Sequence, residues 1–342
     1  MHTMSPIALR HLDGGGARPP HGLLHTSRRP DAAAGRASLA SGGAVGARPV
    51  QRRRRGPRLR HALALTLALG LAGSGCGADD GAATPDVSHL ELPPNPSPPP
   101  SAFVARDHVA GDRFTQLVIE IDYVTGRAPD EGALDELRAA LASLVAEGYL
   151  AKPDGVSIVI DEVIPAAPEG TVYRFVDLRA IAEAYRNVPV PAGASSIYAL
   201  YADGSYEADG GGGRVLGFAW GGSWMVMMSD NIAAACEGSS VLQGPLLGAL
   251  RGRICARVEA MVFLHELGHL FGLVDNGIPM VEDHADPDHP AHTRDPNCLM
   301  YWQIPRSSAV DGIAQRFLGG GEPPLGFCPP SLADLAATAG SR

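Results

Sequence analysis

Apolar residues along the chain fall into two periods. Leu117–Val124, Val156–Val163 and Ser196–Tyr201 are short, β-branched or partly alternating runs bounded by turn residues such as Thr125-Gly126, and they predict strands. Leu134, Leu137, Leu141, Leu144 and Val145 recur at helical spacing instead. They predict an amphipathic helix over Pro129–Gly148, with Asp130 as its cap. Phe175–Arg186 reads as a second helix. Val215–Trp220 and Trp224–Ser229 read as short strands around Gly221-Gly222. A loop with Pro245 then leads into a densely apolar helix over residues 256–271, and Pro329–Ala337 reads as a last helix. The order β-α-β-α-β-β-β-α predicts an α/β (α+β) domain, a mixed twisted sheet covered by helices. Gly210–Gly213 reads as a turn, because no Gly-Lys-Ser/Thr follows to make a phosphate loop.

This pattern starts only after the first hundred of 342 residues. Residues 1–50 are rich in Ala, Gly, Pro and Arg without a period, and read as disordered or as an over-extended gene start. Residues 51–76 have the layout of an export signal: Arg52–Arg55, Arg58 and Arg60, then the apolar run Ala62–Ala72, then Gly73-Ser74-Gly75-Cys76. That run is too short for a permanent span. Its end resembles a bacterial lipobox, which implies acylation at Cys76, although Gly73 stands where that motif prefers Leu. Residues 77–105 carry Pro85, Pro93, Pro94, Pro96 and Pro98–Pro100, and read as a stiff tether. The folded domain is expected over 106–342.

Charge divides at the same place. Residues 1–61 hold 12 Arg and 2 acids, and the remainder holds 16 basic and 35 acidic residues. So acidic a body argues against nucleic acid as a partner. Beyond Cys76 stand Cys236, Cys255, Cys298 and Cys328, an even number that suits two disulfides in an exported protein. Sequence order favours Cys236–Cys255 and Cys298–Cys328 among three pairings.

The chemistry concentrates in His265-Glu266-Leu267-Gly268-His269. Residues i and i+4 share a helix face, so the two imidazoles can hold one Zn²⁺. Glu266 lies beside them, able to take a proton from an attacking water. Gly272 follows, suited to a left-handed helix end, then Asp275, and further on Cys298-Leu299-Met300-Tyr301-Trp302. With these residues the chain resembles the metzincin clan of zinc endopeptidases, whose HExxHxxGxx(H/D) motif precedes a turn that places a methionine beneath the metal. The resemblance is close over 261–302 and loose elsewhere. It implies a zincin domain with an active-site helix, a Met-turn at Met300 and a small C-terminal subdomain. It also implies a peptide substrate bound in extended form along an outer strand, for which the strands over 215–229 are the candidates.

Two residues compete as third ligand. Asp275 has the spacing of the snapalysin-like branch. His292, in His292-Thr293-x4-Cys298-x-Met300, is similar to the archaemetzincin pattern, although Thr293 departs from it, and it requires nearly twenty residues inserted after the Gly bend. The arrangement also resembles a group of bacterial lipoprotein metalloproteases. His284 and His289, among several Asp residues over Val281–Asn297, read as a solvated loop or as a second, structural metal site. Tyr301 is a weaker candidate as a hydrogen-bond donor to substrate. Trp220, Trp224 and Trp302 read as packing.

The expectation is a zinc endopeptidase of the bacterial cell envelope, an outer-membrane or cell-surface lipoprotein. The alternatives are a catalytically silent lipoprotein of the same fold that binds a protein or glycan, and a zinc amidase acting on cell wall.

Overall fold

The computed structural model describes Thr84, residues 86–92, 103–210, 213–244, 250–307, 309–318 and 326–340. The signal segment, Cys76, Pro245 and most of the Pro-rich stretch lie outside the described residues. In chain order the elements are α1 (Ala105–Val109), β1 (Gln116–Val124), α2 (Glu131–Ala146), β2 (Val156–Ile164), β3 (Val172–Tyr173), α3 (Phe175–Tyr185), β4 (Ala194–Ala202), β5 (Ser205–Tyr206), β6 (Gly217–Trp220) and β7 (Trp224–Met228). There follow α4 (Ser229–Gly238), α5 (Arg251–Leu270), β8 (Ala285–Asp286), β9 (His289–Thr293), α6 (Ala309–Leu318) and α7 (Pro329–Ala339).

The five-stranded sheet runs β2-β1-β4-β7-β6. Its first three pairings are parallel and the β6–β7 pairing is antiparallel, so β6 is an outer strand. Both faces are covered, which is why every residue of β4 is buried. Leu117, Ile119, Ile121, Ile197, Ala199 and Met225 face the core shared with α2 and α5. Tyr198, Leu200, Val226 and Met228 alternate with them and pack against Leu178 and Ile181 of α3. The chain after α5 adds Leu299, Met300, Ile313 and Leu335 to the α5-side core. The expected C-terminal subdomain thus has no separate core. Among the described residues no helix is long and apolar enough to cross a membrane.

Several elements are longer or earlier than their apolar pattern. The long helix α5 starts at Arg251, where Arg-Gly-Arg gives no apolar period, and Cys236–Cys255 ties its N-terminal end to α4 with a Cα separation of 5.9 Å. The second disulfide, Cys298–Cys328, has a Cα separation of 5.0 Å and joins the start of α7 to the Met300 segment. Both pairings are those that sequence order favours. Packing also begins before residue 106. The Asp86 amide donates to Asp177 at 2.7 Å, and Leu90 is buried in the α3-side core, so part of the expected tether lies on the domain. Lys152, the single lysine, is buried and donates to the carbonyls of Asp107, Ala110 and Phe114 at 2.7–2.8 Å, closing the end of α1.

Helix α2 is started by Asp130, whose carboxylate accepts from the Gly132 and Ala133 amides at 2.8 and 3.3 Å. The Asp130 amide in turn donates to Glu259 of α5 at 3.0 Å. Burial, reinforced by the Asp130 charge, raises the Glu259 carboxyl to about 7 despite that hydrogen bond. A raised folded-state value stabilises the protein fully below about pH 4.5 and is lost as pH rises through 7. Glu259→Gln, which keeps the acceptor, should therefore lose less stability than wild type between pH 4.5 and 8. The expected difference is about 1–3 kcal/mol, read from urea midpoints at the two pH values.

Candidate metal centre

The helix α5 carries His265 and His269 one turn apart, and both rings meet a third from β9. His265, His269 and His292 each offer one nitrogen, all within 4.8 Å of one another. Ring centroids stand 4.8–5.2 Å apart, and the Nε2 atoms of His265 and His269 face each other at 3.1 Å. His265 is fully buried, His292 nearly so, and His269 partly exposed.

Backbone carbonyls set the orientation of two rings. His265 Nδ1 donates to Leu299 O at 2.7 Å and His292 Nδ1 to Pro290 O at 2.9 Å. A neutral imidazole that donates through Nδ1 keeps a lone pair on Nε2. His269 Nδ1 is buried without a partner. Burial is the main cause that drives His265 well below its ordinary range, His269 to about 3 and His292 to about 4, with mutual repulsion adding to it at His265 and His269. All three are therefore neutral at physiological pH, the state a metal ligand requires. Converging buried lone pairs repel unless a cation lies between them. Three imidazoles that leave a coordination position free suit a metal such as zinc.

Glu266 is 1% exposed, and burial raises its carboxyl to about 8. It abuts the outer strand. A Cβ added at Gly217, the first residue of β6, would come within 3.3 Å of Glu266 Cγ and 2.9 Å of Val262 Cγ1. Glycine there lets the strand approach the helix.

The structure brings His292 to the pair, and not Asp275. Gly272 makes the expected left-handed bend at φ +79°, but Val274 and Asp275 continue it at φ 56° and 58°, and Asp275 is exposed. Asn276 bonds the helix end instead, its Nδ2 donating to His269 O at 3.1 Å. The inserted stretch is not a plain loop. It folds into the β8–β9 hairpin, which reverses the chain and returns His292 to α5. Ala291, just before the ligand, sits at φ 60°, a conformation that non-glycine residues adopt rarely. His284 and His289 do not join the cluster. His284 Nε2 lies 3.6 Å from Asp334, while His289 bonds Asp286 at 2.9 Å and stacks on Trp302 at 4.2 Å. Tyr301 is partly buried, and its backbone bridges to Thr293. Trp220 is buried against Trp224, as packing.

Met300 is fully buried beneath the site, where a side chain on Gly268 would collide with its Sδ and approach Phe327 to 2.9 Å. The roles of Leu299 and Pro290 belong to backbone carbonyls and leave no side-chain signature. Gly268 did leave one, because glycine inside a helix is unfavourable without a close neighbour.

No protein-family model matches the chain, and no curated protein matches it.

The geometry predicts one metal ion per chain, tested with zinc. Asp275→Ala should keep it. His292→Ala should weaken binding by about a hundredfold or more, measured by competition with a chromogenic chelator. Equal weakening by both substitutions would contradict this ligand set.

Proposed function

We propose that the chain is a zinc-dependent endopeptidase of metzincin type, exported and held at the bacterial cell envelope through Cys76. The observation that supports it most is the convergence of His265, His269 and His292 on the helix that carries the buried Glu266, with the outer strand β6 against the Glu266 side chain. Zinc, when bound, supplies a Lewis acid for the scissile carbonyl and a positive charge that favours ionised Glu266.

The three histidines would hold the metal, and the Leu299 and Pro290 carbonyls keep two of the rings in register. Glu266 takes the proton of the attacking water and returns it to the leaving amine. Its burial keeps bulk water from competing for that proton. An extended peptide adds alongside β6, which delivers its backbone next to Glu266.

Cleavage of an unstructured protein such as casein tests the reading. Glu266→Ala should keep its zinc, and its turnover should fall by about 10²–10⁴-fold. Native-like cleavage by Glu266→Ala would overturn the mechanism. Zinc-loaded wild type that cuts no protein would favour the silent binding protein.

A further inference from the structure

A second group of ligand-type side chains lies on the sheet face opposite α5. Glu120 and Asp122 of β1 and Asp161 of β2 each offer a carboxylate oxygen, and these oxygens lie within 4.8 Å of one another. Glu120 and Asp122 share a face because strand side chains alternate. Their partners in register on β4 are Tyr198 and Leu200, which belong to the α3-side core. The pairing of β1 with β2 shifts between Ile121 and Tyr123, where β2 carries one extra residue. This bulge falls at Asp161 and Glu162, and bulges commonly mark places where a strand re-aims a side chain.

Each buried carboxylate is anchored through one oxygen only. Glu120 Oε1 accepts from the Asn187 and Val188 amides at 2.7 and 3.1 Å, and Asp122 Oδ1 accepts from the Glu162 amide at 2.9 Å. Glu120 Oε2 and Asp122 Oδ2 are buried without a partner, on side chains 1% and 0% exposed. The Tyr198 hydroxyl is also fully buried. It lies against Asp122. Two under-satisfied buried carboxylate oxygens in one place exceed the isolated defect that a folded core tolerates. Asp161 is exposed and opens the group to solvent.

We propose that Glu120, Asp122 and Asp161 form a structural calcium site beside the Tyr198 hydroxyl, on the far side of the sheet from the histidine cluster. The donors are all oxygen, which suits a hard cation and not zinc. Ligand distances of about 2.3–2.6 Å around calcium allow opposed oxygens up to about 5 Å apart, and the cluster fits that span. Burial raises Glu120, and Asp122 to about 7, so a cation competes with protons for the cluster. Its effect is to lock β1 to β2 at the bulge and to the turn after α3.

The test uses the whole, zinc-loaded chain with terbium as probe. Tyr198 and Trp224, whose ring centroids are 5.7 Å apart, should sensitise terbium emission that calcium displaces. Saturating calcium should raise the melting midpoint by about 5 °C. Asp161→Asn alters an exposed side chain, so the fold should persist. It should weaken terbium binding by about tenfold or more and abolish the calcium shift, with zinc content unchanged. Asp122→Asn should do the same. The proposal is overturned if calcium leaves the wild-type midpoint unmoved, or if terbium binds Asp161→Asn as tightly as wild type.

Discussion

The contact on which the rest of the centre depends is that of the Met300 sulfur with the bare backbone of Gly268. The sulfur fills the place where a side chain on α5 would stand. That contact brings the 298–301 segment directly under the histidine helix, and the segment then does three things. Leu299 O fixes His265, Met300 O accepts from the Thr293 amide at 3.0 Å beside His292, and Cys298 fastens the segment to Cys328 at α7. One short stretch of chain thus positions ligands from two elements that are far apart in sequence. Any residue larger than glycine at 268 would force the Met300 and Phe327 side chains to shift.

Electrostatics make the same centre unfavourable on its own. Three imidazoles and a carboxyl converge in a buried pocket, where desolvation disfavours the charged form of each of them. Left-handed backbone at Val274, Asp275 and Ala291 adds local strain on the path to His292. Groups held in this way return free energy when a cation binds, so metal binding and folding are coupled.

Much of this was legible in the residues. The runs over 117–124, 156–163 and 196–201 became β1, β2 and β4, because short apolar runs bounded by turn residues mark strands whether central and buried, as β1 and β4 are, or at the sheet edge, as β2 is. The HExxH spacing placed His265, Glu266 and His269 together, because helical geometry fixes i and i+4 on one face. The third ligand stayed divided between Asp275 and His292. Spacing favoured Asp275, whereas a hairpin with few apolar residues brought in His292, and such a hairpin has almost no period to read. Helix α4 was invisible for a related reason, since Ala233–Ala235 gives little contrast between faces. The acidic group on β1 and β2 needed the bulge in their register, which strand alternation alone does not reveal.

The central claim is that three imidazoles, and no carboxylate from the chain, hold the metal. X-ray absorption at the zinc edge of the loaded protein tests this directly. The account predicts three nitrogen scatterers at about 2.0–2.1 Å with imidazole outer-shell features, and one oxygen at about 2.0 Å. It also predicts the same three-imidazole spectrum for Asp275→Ala. Two imidazoles with two oxygens, reduced to one oxygen by that substitution, would contradict it.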